Sequence, residues 1–76
     1  MQRKIINILS GIRPEFDFTK SVDFIEDGML DSFDVVRLVV ELDKEFGISI
    51  DGMDIMTKNF SSVGKIMALL NKHGVK

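Results

Sequence analysis

The chain has no cysteine and a single histidine. Without cysteine there is no disulfide, no thiolate metal site and no protein-borne thiol nucleophile, and nothing points to an oxidising compartment. The lone histidine, His73, lies at the far end of the last apolar pattern. There it serves as a favourable partner for a helix dipole rather than as the base of a serine nucleophile, and no Gly-x-Ser-x-Gly elbow is present. Long apolar runs are missing as well. The stretch after the basic start Met1-Gln2-Arg3-Lys4 stops at Ser10 and Gly11. That is too short for a membrane span and lacks a small-residue cleavage site, so a cytoplasmic protein without membrane insertion is expected. Calcium loops are absent too: neither Asp23, Glu26, Asp27 and Asp31 nor Asp51-Gly52-Met53-Asp54 has the spacing of a twelve-residue loop with its terminal glutamate. No enzymatic activity is expected of this chain.

What is present is a small domain. Its 76 residues, 45% of them apolar, form a single expected unit over residues 1–76, with no repeat, linker or low-complexity tract. A chain of this size hides only about 60% of the surface its unfolded form exposes, so the core has to be compact. The net charge of −2 conceals an asymmetry. Residues 23–54 hold ten acids against two bases, Arg37 and Lys44, for a net −8, while the flanks carry +2 and +4. A concentrated acidic region disfavours nucleic acid and favours proteins with basic docking patches; evenly spread solubilising charge is the plainer alternative.

Periodicity predicts helices and no sheet. Met1, Ile5, Ile8, Leu9 and Ile12 fall on one side of a first helix closed by Gly11 and Pro14. Residues 13–30 lack a clean period. Phe16, Phe18, Phe24 and Ile25 can pin this long loop to the core, and its length suggests function or a hidden helical turn. The second helix runs from Ser32 to about Phe46, with Asp31 as N-cap, Asp34 three residues on in a carboxylate version of the capping box, and Gly47 at its end. Ile48-Ser49-Ile50 reads as an extended connector. Asp51 and Asp54 repeat the capping pattern and open a brief third helix through Met56. A last helix runs from about Ser61 to His73, with Val63, Ile66, Met67 and Leu70 inward and Gly74 as its stop. The expected fold is all-α: a small antiparallel four-helix bundle, three main helices plus one short helix, with a long loop between helices one and two. Met53, Met56 and Met67 read as flexible fillers of its core.

Plotted at about 100° per residue, the second helix turns Val35, Leu38, Val39, Leu42 and Phe46 to the core. Asp34, Arg37, Glu41, Lys44 and Glu45 fall on the opposite side. Phe33, Val36 and Val40 form another apolar stripe, next to Ser32. Either the stripe packs under a neighbouring segment, or it is an exposed docking surface rimmed by the acids Glu41 and Asp43. Ser32 occupies the first turn, where unpaired amides and the positive end of the helix dipole favour an anion, so a phosphodiester on its hydroxyl would sit in a favourable field.

Met29-Leu30-Asp31-Ser32-Phe33-Asp34-Val35-Val36-Arg37-Leu38, followed by Glu41-Leu42-Asp43-Lys44-Glu45-Phe46-Gly47-Ile48-Ser49-Ile50, resembles the acyl carrier protein family. That family's mark is Asp-Ser-Leu or a near variant opening a helix that ends in Glu-Phe-Gly-Ile-x-Ile. The strong match covers residues 27–50. The resemblance implies a carrier that holds acyl or aminoacyl groups as thioesters on 4′-phosphopantetheine attached to Ser32. The arm comes from coenzyme A through a separate phosphopantetheinyl transferase, with Asp31 helping to hold the magnesium used in the transfer. It further implies acyl- or aminoacyl-loading and condensing enzymes as partners, a monomeric chain, and space between the second and third helices that can shelter an acyl chain and that some methionines would line. Arg37 and Lys44 stand where fatty-acid members usually carry acids, and Phe33 replaces the commoner leucine. Residues 26–33 are similar to the loop of D-alanyl carrier proteins and of stand-alone carriers in specialised pathways, which leaves the cargo open between fatty acid biosynthesis and these. A helical protein-interaction adaptor without a prosthetic group is the alternative that predicts the same bundle.

Overall fold

A computed structural model describes residues 1–75 as three α-helices and two 3₁₀ turns, with no strand among the described residues. Helix α1 spans Gln2–Ile12, α2 Ser32–Phe46 and α3 Val63–Lys72; the turns are Gly52–Asp54 and Thr57–Phe60. Each helix buries one stripe, as its periodicity predicts. Ile5, Leu9 and Ile12 come from α1, Val35, Leu38, Val39 and Leu42 from α2, and Ile66, Leu69 and Leu70 from α3. Together with Phe18, Phe24 and Phe60 they make one core.

The brief third helix expected through Met56 is only a 3₁₀ turn, Gly52–Asp54. Asp51 caps as expected, its carboxylate accepting from the Met53 amide at 3.0 Å, but the turn stops at Asp54. The reason is local. The Asn59 side-chain amide donates to the Asp54 carbonyl at 2.8 Å, taking an acceptor that a continuing helix would use, and Ile55 leaves helical geometry. The chain re-enters as the 3₁₀ turn that seats Phe60 in the core. Because no regular helix presents a face here, Met53 is exposed and Met56 is partly so. They are not core fillers, and only Met67 packs partly against the core. In α3 the buried partner of Ile66 and Leu70 is Leu69, ahead of the half-buried Met67 and Val63.

Residues 13–31 hold the long connection. Phe18 and Phe24 are buried with their rings 5.0 Å apart, edge to face, and Phe16 and Ile25 cover them. A single helical turn is hidden in it: the Asp27 amide donates to the Asp23 carbonyl at 3.0 Å, and the Asp23 carboxylate accepts from the amides of Ile25 and Glu26. Gly28, at φ 72°, reverses the chain out of this turn. The amides of Met29 and Leu30 then both donate to the Phe24 carbonyl, delivering the chain to the start of α2. At the other end of the molecule His73 joins α3 to the first 3₁₀ turn. Its Nδ1 lies 3.1 Å from the Leu69 carbonyl, and the Asp51 amide donates to its Nε2 at 3.3 Å. The ring thus bridges Leu69 and Asp51, a more specific role than that of a general dipole partner.

Candidate functional site

The start of α2 is fixed by interlocking side chains. The Asp31 carboxylate accepts from the Asp34 amide at 2.9 Å, and the Asp34 carboxylate accepts from the Asp31 amide at 3.1 Å, a complete capping box built from two aspartates. Leu30 just before the cap and Val35 just after the first turn are both buried, the positions of a hydrophobic staple. Ser32 is the first residue of the helix and is exposed, and its hydroxyl makes no hydrogen bond among the described residues. The box takes the amides of Asp31 and Asp34 and leaves those of Ser32 and Phe33 without a partner there.

Asp34 does not lie on the polar face where the wheel puts it. Its side chain is 4% exposed and meets Arg13, at the end of α1. Arg13 Nε donates to Oδ2 at 2.9 Å and Nη2 lies 2.8 Å from the same oxygen. Burial, the largest single influence, pushes the Asp34 carboxyl up. The hydrogen bonds from Arg13 and from the Asp31 amide, with the charge of Arg13, outweigh it and hold the group below the usual carboxylate range. The second Nη2 contact of Arg13, at 3.6 Å, is to Asp31 Oδ2. Arg13 escaped sequence reasoning because its partner is 21 residues away and no period connects them.

Below Ser32 the other apolar stripe is exposed: Phe33 at 80%, Val36 at 55% and Val40 at 50%. It borders an open groove of about 530 Å³ between α1 and α2, floored by Ile8 and Ile12 and opened where Gly11 has no side chain. Glu41 and Arg37 line the same groove, and neither has an ion pair among the described residues. Asp43 is different. It is half-buried, and its carboxylate accepts from the Ile50 amide at 3.0 Å, tying the extended connector to the end of α2. There Gly47, at φ 63° and ψ 39°, closes the helix on the Asp43 carbonyl. Asp43 is thus part of the fold's wiring rather than a free rim charge. No group of three or more potential metal ligands occurs among the described residues.

The family model described as a phosphopantetheine attachment site matches residues 3–70, most of the chain. The chain belongs to that family. It is 34% identical over 70 residues to the acyl carrier protein of Thermotoga maritima, covering 92% of this chain and 83% of the relative. To the D-alanyl carrier protein of Lactococcus lactis subsp. cremoris strain MG1363 it is 30% identical over 70 residues, covering 90% and 89%. The prosthetic group of such carriers is covalently attached 4′-phosphopantetheine. The start of α2 fits it: an exposed, unbonded hydroxyl sits beside two partnerless amides at the positive end of a 15-residue helix, where a phosphodiester is electrostatically favoured.

Proposed function

We propose that this chain is a carrier whose 4′-phosphopantetheine arm is attached at Ser32 and which delivers acyl or aminoacyl groups to partner enzymes. The observation that carries the reading is the exposed Ser32 hydroxyl in the first turn of α2, with the capping box complete around it and two amides left over. In loading, the Ser32 oxygen bonds to the coenzyme A phosphorus that bears pantetheine. The pyrophosphate bridge breaks, adenosine 3′,5′-bisphosphate leaves, and the hydroxyl proton passes to a base of the transferase. Asp31 Oδ2, not used by the cap and 3.6 Å from Arg13 Nη2, is the oxygen that would meet the magnesium of that transfer. When bound, the arm supplies the terminal thiol on which cargo is held as a thioester. The chain itself presents, orients and docks, and catalyses no step.

Docking falls to Phe33, Val36 and Val40, with Glu41 and Arg37 beside them. An exposed apolar stripe next to the modified serine lets a transferase or a downstream enzyme bury it while reaching Ser32. The two named relatives carry different cargo by their names, an acyl group and D-alanine, and the chain is about equally similar to both. A single monomeric domain in the cytoplasm suits this role, and no described helix is long and apolar enough to cross a membrane. The test is intact mass after incubation with a broad-specificity transferase, coenzyme A and magnesium. The wild type gains one arm and Ser32→Ala gains none, with Ser10, Ser21, Ser49, Ser61 and Ser62 unmodified in both. A wild type that stays unmodified would leave the adaptor reading, and an arm on Ser32→Ala would put the site elsewhere.

A further inference from the structure

The connection between α1 and α2 contains no α-helix or strand, so nothing regular carries the orientation of α1 into the start of α2. The capping box closes only on itself, within residues 31–34. One side chain reaches it from another helix end. Arg13, the residue that ends α1, approaches Asp34 Oδ2 with two nitrogens, at 2.9 Å and 2.8 Å, while that same oxygen accepts from the Asp31 amide at 3.1 Å. Arg13 is only about one-third exposed on its side chain, and Asp34 is nearly fully covered. We propose that Arg13 is the positioning residue of the Ser32 site: by clamping Asp34 against the Asp31 amide it holds the first turn of α2 in one conformation, with the Ser32 hydroxyl outward and Asp31 fixed alongside. The proposal rests on reading Ser32 as the anchor of the arm.

Three features support it. Asp34 serves two masters with one oxygen, so the box and the clamp form together: if Arg13 leaves, Asp34 becomes a buried carboxylate held only by its local cap, and its best response is to swing to water and open the box. Asp31 is placed by the same device. Its Oδ1 is committed to the Asp34 amide, and its Oδ2, not used by the cap, lies 3.6 Å from Arg13 Nη2. Lysine cannot substitute, because a point ammonium lacks the planar fork whose Nε and Nη2 converge on one carboxylate oxygen. Val36 and Val40 of the docking stripe are untouched by this, since they lie beyond the first turn and on a different side of α2 from Asp34; Phe33 alone shares the turn.

Positioning and mere stabilisation separate in kinetics. Loss of stability lowers the folded fraction of carrier and raises its apparent KM. Loss of positioning leaves docking intact and lowers kcat, because the bound serine is no longer held in line. The experiment compares wild type, Arg13→Ala, Arg13→Lys and, as a remote control, Lys72→Ala, which removes the Lys72–Asp54 pair. Steady-state transfer is measured with a broad-specificity transferase, coenzyme A and magnesium at varied carrier concentration. Amide hydrogen exchange across α2 is measured on the unmodified proteins. Arg13→Ala is expected to lower kcat about tenfold at little changed KM, and to speed exchange at Asp31 and Asp34 by about the same factor relative to the rest of α2. Arg13→Lys moves both in the same direction, and Lys72→Ala moves neither. Unchanged kcat in the Arg13 variants, or a change confined to KM, overturns the proposal; should Arg13→Ala fail to fold, Arg13→Lys decides. A wild type that takes no arm on Ser32 sinks the underlying reading instead, and the exchange comparison still decides whether Arg13 holds the turn.

Discussion

Leu38 and Val36 are two residues apart on α2 and face opposite fates on truncation. Leu38 has no exposed surface and sits in the core, so Leu38→Ala empties a site that the surrounding helices cannot fully refill. Such a change costs about 2–5 kcal/mol. The whole stability of a chain this size is roughly 4–11 kcal/mol, at about 0.05–0.15 kcal/mol per residue. Val36 is 55% exposed. Its two lost methyl groups would be worth about 0.8 kcal/mol each if fully buried, so with under half of that surface covered the loss is about 0.7 kcal/mol. Alanine is the better helix former by roughly 0.5 kcal/mol, which offsets most of it. At about 4–8 °C per kcal/mol for a domain this small, Val36→Ala should shift Tm by only about 1–2 °C, and Leu38→Ala by about 10 °C or more.

The assay pairs a thermal melt followed by far-ultraviolet circular dichroism with the rate of arm transfer at a temperature where both variants are folded. Val36→Ala is expected to melt like the wild type yet to raise the KM for the transferase or a downstream enzyme, while folded Leu38→Ala reacts normally. A Val36→Ala protein that melts as low as Leu38→Ala would show that the stripe is core, and the surface argument would fall. If Val36→Ala and Val40→Ala both melt normally and no partner reaction responds, the stripe is exposed but unused.

The Asp34 carboxyl is held below its ordinary value, so it contributes stability above about pH 4 that is lost as the pH falls through the lower native value. The charged groups facing it are Arg13 and Asp31, with Glu15 behind Arg13; Asp34→Asn should therefore lower stability at pH 7 by about 1–3 kcal/mol, and urea melts of variant and wild type should converge as the pH falls below the ordinary carboxylate range, whereas a constant gap would refute the ion-pair account. Gly11 lies near the end of α1 with open space where a Cβ would stand, so Gly11→Ala should raise stability by up to about 1 kcal/mol while narrowing the groove beside Val36 and Val40. A lowered Tm in that variant would mean that the groove is tighter than the structure has it.

What was legible from the sequence was local. The bounds of α2 follow from a cap at Asp31, a carboxylate three residues on and a glycine at the far end, each acting within a turn or two, and each is where it was expected. The loop phenylalanines were legible for a related reason, since rings that large in a polar stretch have nowhere to go but the core. The misreadings depend on side-chain contacts outside any helical period, one across the fold and two within a few residues. Asp34 looks like a surface acid on any helical plot, and only Arg13, brought up by the end of α1, makes its burial tolerable. Met53 and Met56 have the spacing of a helix face that does not exist, because Asn59 captures the carbonyl that would extend the turn. Asp43 looked like a rim charge until the connector folded back to place the Ile50 amide on it.

The same folding back changes the meaning of the charge asymmetry. Ten acids between residues 23 and 54 suggested a face dominated by repulsion and ready to steer a basic partner. The bases in the flanking segments return to that region in three dimensions. Arg13 faces Asp31 and Asp34, Lys72 holds Asp54 at 3.0 Å, and Lys4 lies 3.6 Å from Glu45. Asp23, Asp27, Asp43 and Asp51 each accept a hydrogen bond from a neighbouring amide or hydroxyl. Among the described residues, Glu26 and Glu41 are the acids of this segment whose carboxylates have neither kind of partner. Glu41 is beside the exposed stripe, and one turn away stands Arg37 with the opposite sign. Beside the exposed stripe the charges therefore nearly cancel, and what remains distinctive is apolar. On the proposed docking role of the stripe, a partner covers Phe33, Val36 and Val40, with the two charges setting register more than attraction.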